Sequence, residues 1–147
     1  RSRLQIEFSW MGTRDPSAVL SVPFAIEYMG GLLPGGWPEI MESNRRLALA
    51  GRKLILEALD IPSPAPDHMI GSLSSIPLAS PSLAKPYQSL KYQSFWQEAL
   101  IECHNLEVPL FAWPSHPDHI VRISAQVYNK PEHYELLTEA LKGLSGS

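Results

Sequence analysis

The stretch Val121-Arg122-Ile123-Ser124-Ala125-Gln126-Val127-Tyr128-Asn129 places one guanidinium in the middle of an otherwise apolar run. The run predicts a strand over residues 119–128. We expect Arg122 in the interior, where it needs an anion because a guanidinium does not lose its proton. Two partners remain open at this point: an Asp or Glu of the chain, or the carboxylate of a substrate.

Working outward, the apolar periodicity predicts helices before and after this strand. A first helix is expected from Asp15-Pro16 to about Met29, broken or kinked at Pro23 and buried on several sides because its apolar residues are dense. The longest helix is expected over residues 37–59, and its polar face is expected to carry Glu39, Glu42, Arg45, Arg46, Arg52 and Lys53.

Further elements follow the Pro-rich segment at residues 61–66. Strands are predicted over residues 69–78 and 108–113, with a loop at residues 79–92 and a short helix over residues 95–106. A last helix is expected over residues 131–144, with Asn129 or Lys130 as its cap and proline at its first position. This order predicts an α+β domain with a three-stranded antiparallel sheet covered by helices.

Composition narrows the class of protein. The 147 residues carry a formal net charge of -3 with acids and bases interspersed, which disfavours a nucleic-acid partner. No apolar run approaches the roughly 20 residues that cross a bilayer, so no membrane partner is expected. A single cysteine, Cys103, fits a reducing compartment, and we expect a cytoplasmic protein. Because the chain starts without a methionine, it is expected to be a C-terminal fragment.

A second segment has the composition of an anion site. Gly12-Thr13-Arg14-Asp15 combines a glycine, a hydroxyl and a cation just before an expected helix N-terminus. Backbone N–H groups, the helix dipole and the Thr13 hydroxyl can converge on a phosphate there. The alternative is an ordinary capped turn in which Arg14 and Asp15 pair with each other or with neighbours.

Taken together, the two segments resemble the class V aminotransferase family of pyridoxal 5'-phosphate (PLP) enzymes, which have fold type I. Gly12-Thr13-Arg14-Asp15-Pro16-Ser17-Ala18 and, about a hundred residues later, Val121 to Glu132 are most similar to the isopenicillin N epimerase-like branch, which includes plant cysteine desulfhydrases. The resemblance covers nearly the whole chain. It implies that residues 1–35 end the PLP-binding large domain and that residues 36–147, with a connecting helix at about 37–59, form the small C-terminal domain.

The resemblance also implies roles for three residues. Gly12 and Thr13 would bind the cofactor phosphate across a homodimer interface, and Arg122 would bind the α-carboxylate of an amino-acid substrate. The family's cofactor-binding lysine and the acid beside the pyridine nitrogen lie upstream of the matched segment. No lysine here matches that motif, so we expect no catalytic residue in this chain and an inactive fragment.

Other candidate groups are assigned structural roles. His104, His116 and His119 lack fitting metal ligands nearby, so no metal is expected, and His116 and His119 are expected in a loop near the active-site mouth. Cysteine desulfurases of the family use a thiolate on the loop just before the arginine strand, but residues 111–119 contain no thiol here. Cys103 lies on the preceding helix and is expected to be packed, so a persulfide-forming desulfurase is disfavoured. The aromatic residues expected in the core are Trp96, Phe111, Trp113 and Tyr128. Trp10 is expected to approach the cofactor.

Two functions remain open. The first is the C-terminal part of a PLP-dependent enzyme that acts at Cα, as an epimerase or a cysteine desulfhydrase-type lyase, incomplete without its lysine-bearing domain. The second is a non-catalytic α+β module that binds a small anion or a protein. Epimerisation, β-elimination and transamination begin with the same Cα–H cleavage, so the residues present here do not separate them.

Overall fold

The computed structural model describes residues 1–9, 12, 15–78, 95–114 and 118–145. The chain divides into two compact units, Arg1–Trp37 and Pro38–Ser147. The predicted boundary between residues 35 and 36 concerns the domains of a longer enzyme and stays a prediction. The loop predicted at residues 79–92 lies outside the described residues.

The first unit contains three short helices, α1 (Arg3–Phe8), α2 (Ser17–Leu20) and α3 (Val22–Gly30). A capping box begins α1: the Gln5 N–H donates to the Ser2 hydroxyl at 3.2 Å, and the Ser2 N–H donates to the Gln5 side chain at 2.9 Å. The predicted break near Pro23 is confirmed, because α3 begins at Val22 with the proline in its first turn.

The expected burial of this helical segment is wrong for the described chain. Apolar side chains of α2 and α3 are exposed, and no residue of α1, α2 or α3 is buried. The exposed set comprises Val19, Leu20, Val22, Phe24, Ile26 and Tyr28. Helices of four and nine residues are too short to enclose a core among themselves. The dense apolar residues of this segment therefore form an exposed apolar surface in the described chain rather than part of a core.

The second unit is the predicted α+β fold. Its elements are α4 (Gly36–Ala58, which starts in the first unit), β1 (Leu73–Leu78), α5 (Phe95–His104), β2 (Leu110–Ala112), β3 (His119–Ser124) and α6 (Pro131–Ser145). The strands form one antiparallel sheet in the order β1-β3-β2. The register pairs Ile76 with Val121 across β1 and β3, and Leu110 with Val121 across β2 and β3.

Strand alternation separates the two faces of this sheet. In β1 the side chains of Ser74, Ile76 and Leu78 are buried while their neighbours are exposed. In β3 Val121 and Ile123 take the buried positions. The buried face packs in one hydrophobic cluster with residues of α4, α5 and α6, including Ile55, Leu56, Trp96, Leu100, Leu137 and Leu141. Each fully buried Leu or Ile contributes about 1.5–3 kcal/mol relative to an exposed one.

The strands are shorter than predicted, for reasons visible in their flanks. Residues before β1 form a 3₁₀ turn at Asp67–Met69, and the Arg45 guanidinium binds the carbonyl oxygens of Ile70 and Asp67 at 3.1 and 3.0 Å. After β3 the side chain of Gln126 accepts the Val127 N–H at 2.9 Å. Side-chain groups replace strand partners in both places.

Aromatic residues divide between core and surface. Trp96 is buried as predicted, but Trp113 and Tyr128 are 59% and 75% exposed, so their predicted core positions are wrong. Tyr134 takes the aromatic core position instead. A Cβ on Gly51 of α4 would lie 2.6 Å from its ring, so α4 and α6 approach closely only because residue 51 is glycine.

Candidate functional site

Arg122 lies in the middle of β3 on the exposed face of the sheet. The expectation of an interior arginine is wrong, because the period of two residues that buries Val121 and Ile123 turns Arg122 to the opposite face. Its backbone N–H donates to the Pro109 carbonyl at 3.0 Å, which ties this part of β3 to the segment just before β2. The strand therefore holds the base of the side chain in a defined position.

The guanidinium of Arg122 has no acidic partner in the described part of the chain. Among those residues, no Asp or Glu forms an ion pair with it. Of the two partners left open by the sequence, the internal carboxylate is thus not found in the described ranges. A cation with five donors remains available to an external anion.

Arg122 lines a recess of about 260 Å³. Three segments form it: the connection between α5 and β2, the end of β3, and the first two turns of α6. The residues that line it are Asn105, Leu106, Glu107, Val108, Pro109, Arg122, Ile123, Ser124, Asn129, His133, Tyr134, Leu136 and Leu137. The volume of the recess suits a ligand of the size of an amino acid. The recess combines an apolar wall with a few polar groups.

Electrostatics in this recess favour an anion near Arg122. The N-terminal end of α6 contributes the positive end of a helix dipole beside the recess residues Asn129 and His133. Glu107 is the one acidic residue that lines the recess. Because it is exposed and hydrated, its charge is screened more strongly than that of a buried carboxylate.

A hydrogen-bond network that the sequence did not predict reaches this recess from α4. Asn44, which is 7% exposed, donates to the Gln126 side chain at 3.0 Å. The Gln126 N–H donates to the Asn129 side-chain oxygen at 3.0 Å, and Asn129 Nδ2 lies 3.5 Å from His133 Nδ1. Asn129 was predicted only as a helix cap. The sequence feature that could have indicated this network is the pair of amide side chains, Gln126 and Asn129, just after the arginine strand.

Among the described residues the buried arginine is Arg52, which was expected on a polar helix face. Arg52 is 4% exposed and forms an ion pair with Asp67 at 2.7 Å. Its guanidinium also donates to the Ser63 hydroxyl at 2.6 Å and to the Ala65 carbonyl. It borders a larger recess of about 550 Å³ that also contains Lys53, Glu57 and Asp60. Arg52 thus fastens the Pro-rich segment onto α4.

The predicted phosphate segment is described at two of its residues, Gly12 and Asp15. Gly12 has φ of 84°, a conformation that favours glycine, and a Cβ added there would have nothing within 4 Å. Thr13 lies outside the described residues, as do Trp10 and His116. Asp15 accepts hydrogen bonds from the Ser17 hydroxyl and N–H, and these two contacts, the side-chain one first, lower the pKa of the Asp15 carboxyl.

Two other predicted placements need correction. Cys103 is exposed rather than packed, because it lies in the last turn of α5, which ends at the next residue, His104. His119 begins β3 at a buried position instead of lying in a loop, because it shares the inner face with Val121. In the ranges that the structure describes, no group of three or more His, Cys, Asp and Glu is arranged to hold a metal.

The same described ranges contain no helix with the length and hydropathy that a membrane span requires. No protein-family model matches the chain. Individual plant proteins do match it. The Arabidopsis thaliana protein named "Probable L-cysteine desulfhydrase, chloroplastic" is 31% identical over 148 residues, which cover 96% of this chain and 30% of the relative.

The chain is similar to plant L-cysteine desulfhydrases. A second Arabidopsis thaliana protein, named "L-cysteine desulfhydrase", is 30% identical over 155 residues, covering 96% of this chain and 33% of the relative. A protein from Oryza sativa subsp. japonica with a name of the same type is 30% identical over 152 residues, covering 96% and 31%. The chain therefore spans about a third of the length of the curated relatives it matches.

Proposed function

We propose that this chain forms the substrate-carboxylate-binding part of a PLP-dependent enzyme that acts at the Cα of L-cysteine. The reaction we infer is that of a desulfhydrase, in which L-cysteine and water give hydrogen sulfide, pyruvate and ammonia. The observation that carries the proposal is the exposed side chain of Arg122, which forms no ion pair with any described Asp or Glu and lines a recess of small-ligand size. Similarity to proteins named L-cysteine desulfhydrase over 96% of the chain supports the choice of substrate.

Two features of the described chain fit a cofactor-bound amino acid. Arg122 offers the donor fork that a carboxylate requires. Gly12 leaves open space beside its own backbone, as close approach of a phosphate would need. When bound, PLP supplies a ring that withdraws the electrons released when the Cα–H bond breaks. The lysine that holds it is assigned to a part of the protein outside this chain.

The contribution of this chain is to bind and orient. A bidentate contact between Arg122 and the α-carboxylate fixes two atoms of the substrate and leaves rotation about one axis. Orienting the Cα–H bond in this way lowers the entropic part of the barrier, because the reacting geometry is already populated.

The finer family assignment follows from the resemblance in the sequence. Membership of the class V aminotransferases, a phosphate contact from Gly12 and Thr13 to a neighbouring subunit, and a homodimer are parts of this proposal. So is the choice of β-elimination over epimerisation, which rests on the names of the relatives. Tests on the full-length protein must therefore follow both outcomes.

The experiment uses the full-length protein that contains this chain, loaded with PLP. Incubation with L-cysteine should release sulfide and pyruvate in equal amounts, without accumulation of the D isomer. Arg122→Lys should raise KM for L-cysteine, because an ammonium cannot reproduce the bidentate fork. Arg46→Lys, which changes an exposed arginine of α4 that lines neither recess, is the matched control and should leave KM unchanged.

Each failure has a distinct meaning. Racemised cysteine without sulfide would replace the desulfhydrase by an epimerase and keep the role of Arg122. Sulfide release with the same KM in wild type and Arg122→Lys would contradict the carboxylate-binding role. No turnover of any amino acid, with unchanged absorbance on addition of PLP, would favour the non-catalytic binding module.

A further inference from the structure

The amide network beside Arg122 favours one of the two tautomers of the neutral His133 ring. It starts at Gln126, whose side-chain oxygen accepts from Asn44 Nδ2 at 3.0 Å and from the Val127 N–H at 2.9 Å. These two donors fix the orientation of the Gln126 amide, since the amide nitrogen would face both donors in the flipped position. The turn after β3 is therefore anchored to the nearly buried Asn44 of α4.

The orientation of Asn129 follows from the same turn. Its side-chain oxygen accepts the Gln126 N–H at 3.0 Å. A backbone N–H only donates, so the atom that faces it must be the oxygen, and Nδ2 is the atom turned toward His133 Nδ1 at 3.5 Å. A further bond, from the Asn129 N–H to the Gln126 carbonyl at 2.8 Å, holds the turn closed.

His133 Nδ1 thus meets two donors. The Lys130 N–H lies 3.4 Å from it and Asn129 Nδ2 lies 3.5 Å from it. Both contacts are long, but both require a lone pair on Nδ1. The proton of the neutral ring then lies on Nε2, which is the nitrogen on the other edge of the ring. His133 lines the same recess as Arg122.

We propose that His133, through its Nε2–H, is a second recognition residue for the substrate carboxylate held by Arg122. This inference rests on the proposed function, since it concerns the same ligand in the same recess. Arg122 supplies charge and a planar fork, whereas His133 supplies one neutral donor from a second direction. The network from Asn44 through Gln126 and Asn129 positions this donor and does not itself touch the substrate.

The test measures carboxylate binding separately from turnover. The probe is 3-mercaptopropionate, which has the thiol and the carboxylate of cysteine but no amine, titrated by calorimetry into the full-length protein loaded with PLP. His133→Phe removes the donor and keeps a ring of similar size, and we expect Kd to rise about tenfold. His133→Gln returns an N–H donor of similar reach and should bind within about threefold of wild type.

Steady-state kinetics and spectroscopy add two independent readouts. His133→Phe should raise KM for L-cysteine while kcat stays within about twofold, as expected when a binding contact is lost from ground state and transition state alike. L-cysteine methyl ester, which lacks the anion, should be used equally by wild type and His133→Phe. In protein labelled with ¹⁵N-histidine, His133 should show an unprotonated Nδ1 and a protonated Nε2.

Contrary outcomes separate the two proposals. If His133→Phe binds the probe as tightly as wild type while Arg122→Lys binds it weakly, the inference about His133 is overturned and the role of Arg122 stands. If neither variant weakens binding, both fail. A His133 ring protonated on Nδ1 alone would also overturn the inference. So would a His133→Gln variant that unfolds at the wild-type temperature but binds the probe as weakly as His133→Phe.

Discussion

The two arginines Arg52 and Arg122 show how one residue type serves opposite purposes in the same unit. Arg52 is nearly buried, and its guanidinium is bound by an ion pair with Asp67, the Ser63 hydroxyl and the Ala65 carbonyl. Arg122 is exposed, with no acidic partner among the described residues. A structural arginine is therefore distinguished from one available to a ligand by the groups that its guanidinium binds. The neighbouring residues in the sequence do not make that distinction.

The largest expected effect comes from removing the available cation. Arg122→Ala should lower kcat/KM for L-cysteine by about a hundredfold or more, because a charge-assisted, bidentate contact is lost. Stability should change little, since nothing in the described chain depends on that side chain. Sulfide release over a range of substrate concentrations, with thermal unfolding of the same samples, measures both. A large loss of stability with unchanged kcat/KM would reverse the roles assigned to the two arginines.

Removing the buried cation should have the opposite signature. Arg52→Met should lower the free energy of unfolding by about 2 kcal/mol, because three hydrogen-bonding groups lose their donor. The cost lies below that of a fully buried pair, since Asp67 is 70% exposed and stays hydrated. Turnover per folded molecule should be unchanged. Urea unfolding followed by tryptophan fluorescence measures the loss.

Lys53→Met is the matched control for that variant. Lys53 is adjacent to Arg52, but its side chain is 74% exposed and lies 3.7 Å from Glu57. A surface pair of this kind is worth about 0.5 kcal/mol or less. Equal losses in the two variants would mean that burial does not distinguish them, and the structural role of Arg52 would be withdrawn.

A smaller effect should follow from crowding the contact between α4 and α6. Gly51→Ala would place a Cβ 2.6 Å from the Tyr134 ring, and the ring would have to move. We expect a net loss of about 1–2 kcal/mol, because overpacking exceeds the gain in helix propensity. Gly71→Ala, where a Cβ meets nothing within 4 Å, should be neutral in the same unfolding measurement. A neutral Gly51→Ala would show that Tyr134 is not held against α4.

The smallest effect concerns Tyr134 itself. Its hydroxyl donates to the Ser124 carbonyl at 2.6 Å, so Tyr134→Phe should cost about 1 kcal/mol near neutral pH. Burial, and to a lesser extent Tyr128, raises the pKa of the Tyr134 phenol above 10.0. The folded state therefore holds this proton more tightly than the unfolded state. The resulting stability is complete below pH 10 and is lost as pH rises through the folded pKa.

Unfolding measured from pH 8 to pH 11 tests that linkage. Wild type should lose stability more steeply than Tyr134→Phe above pH 10, since the phenylalanine has no proton to lose. Parallel curves for the two proteins would show that the phenol is not buried against Ser124.

The sequence predicted the architecture because its signals are local. Apolar periodicity placed α4, α5 and α6 within a few residues, and apolar runs placed the three strands, in which side chains alternate between two faces. The exposure of Arg122 was missed although the same alternation implies it, because the run was taken as uniformly apolar. The break at Pro23 was predictable from the missing N–H and the ring of proline.

What the sequence could not supply were contacts between distant segments. Nothing local to Arg52 indicates that the segment carrying Ser63 and Asp67 folds over it, so it was placed on a polar face. The network from Asn44 to Gln126 joins residues 82 positions apart. The roles of Gly12, Thr13 and Arg122 in binding came from family resemblance and remain predictions.

The most direct test of the account compares L-cysteine with L-cysteine methyl ester in the full-length, PLP-loaded protein. If Arg122 is held for a substrate carboxylate, wild type should prefer L-cysteine in kcat/KM by about a hundredfold, and Arg122→Gln should lose most of that preference while retaining its activity on the ester. An Arg122→Gln variant that keeps the full preference for the free acid would contradict the account.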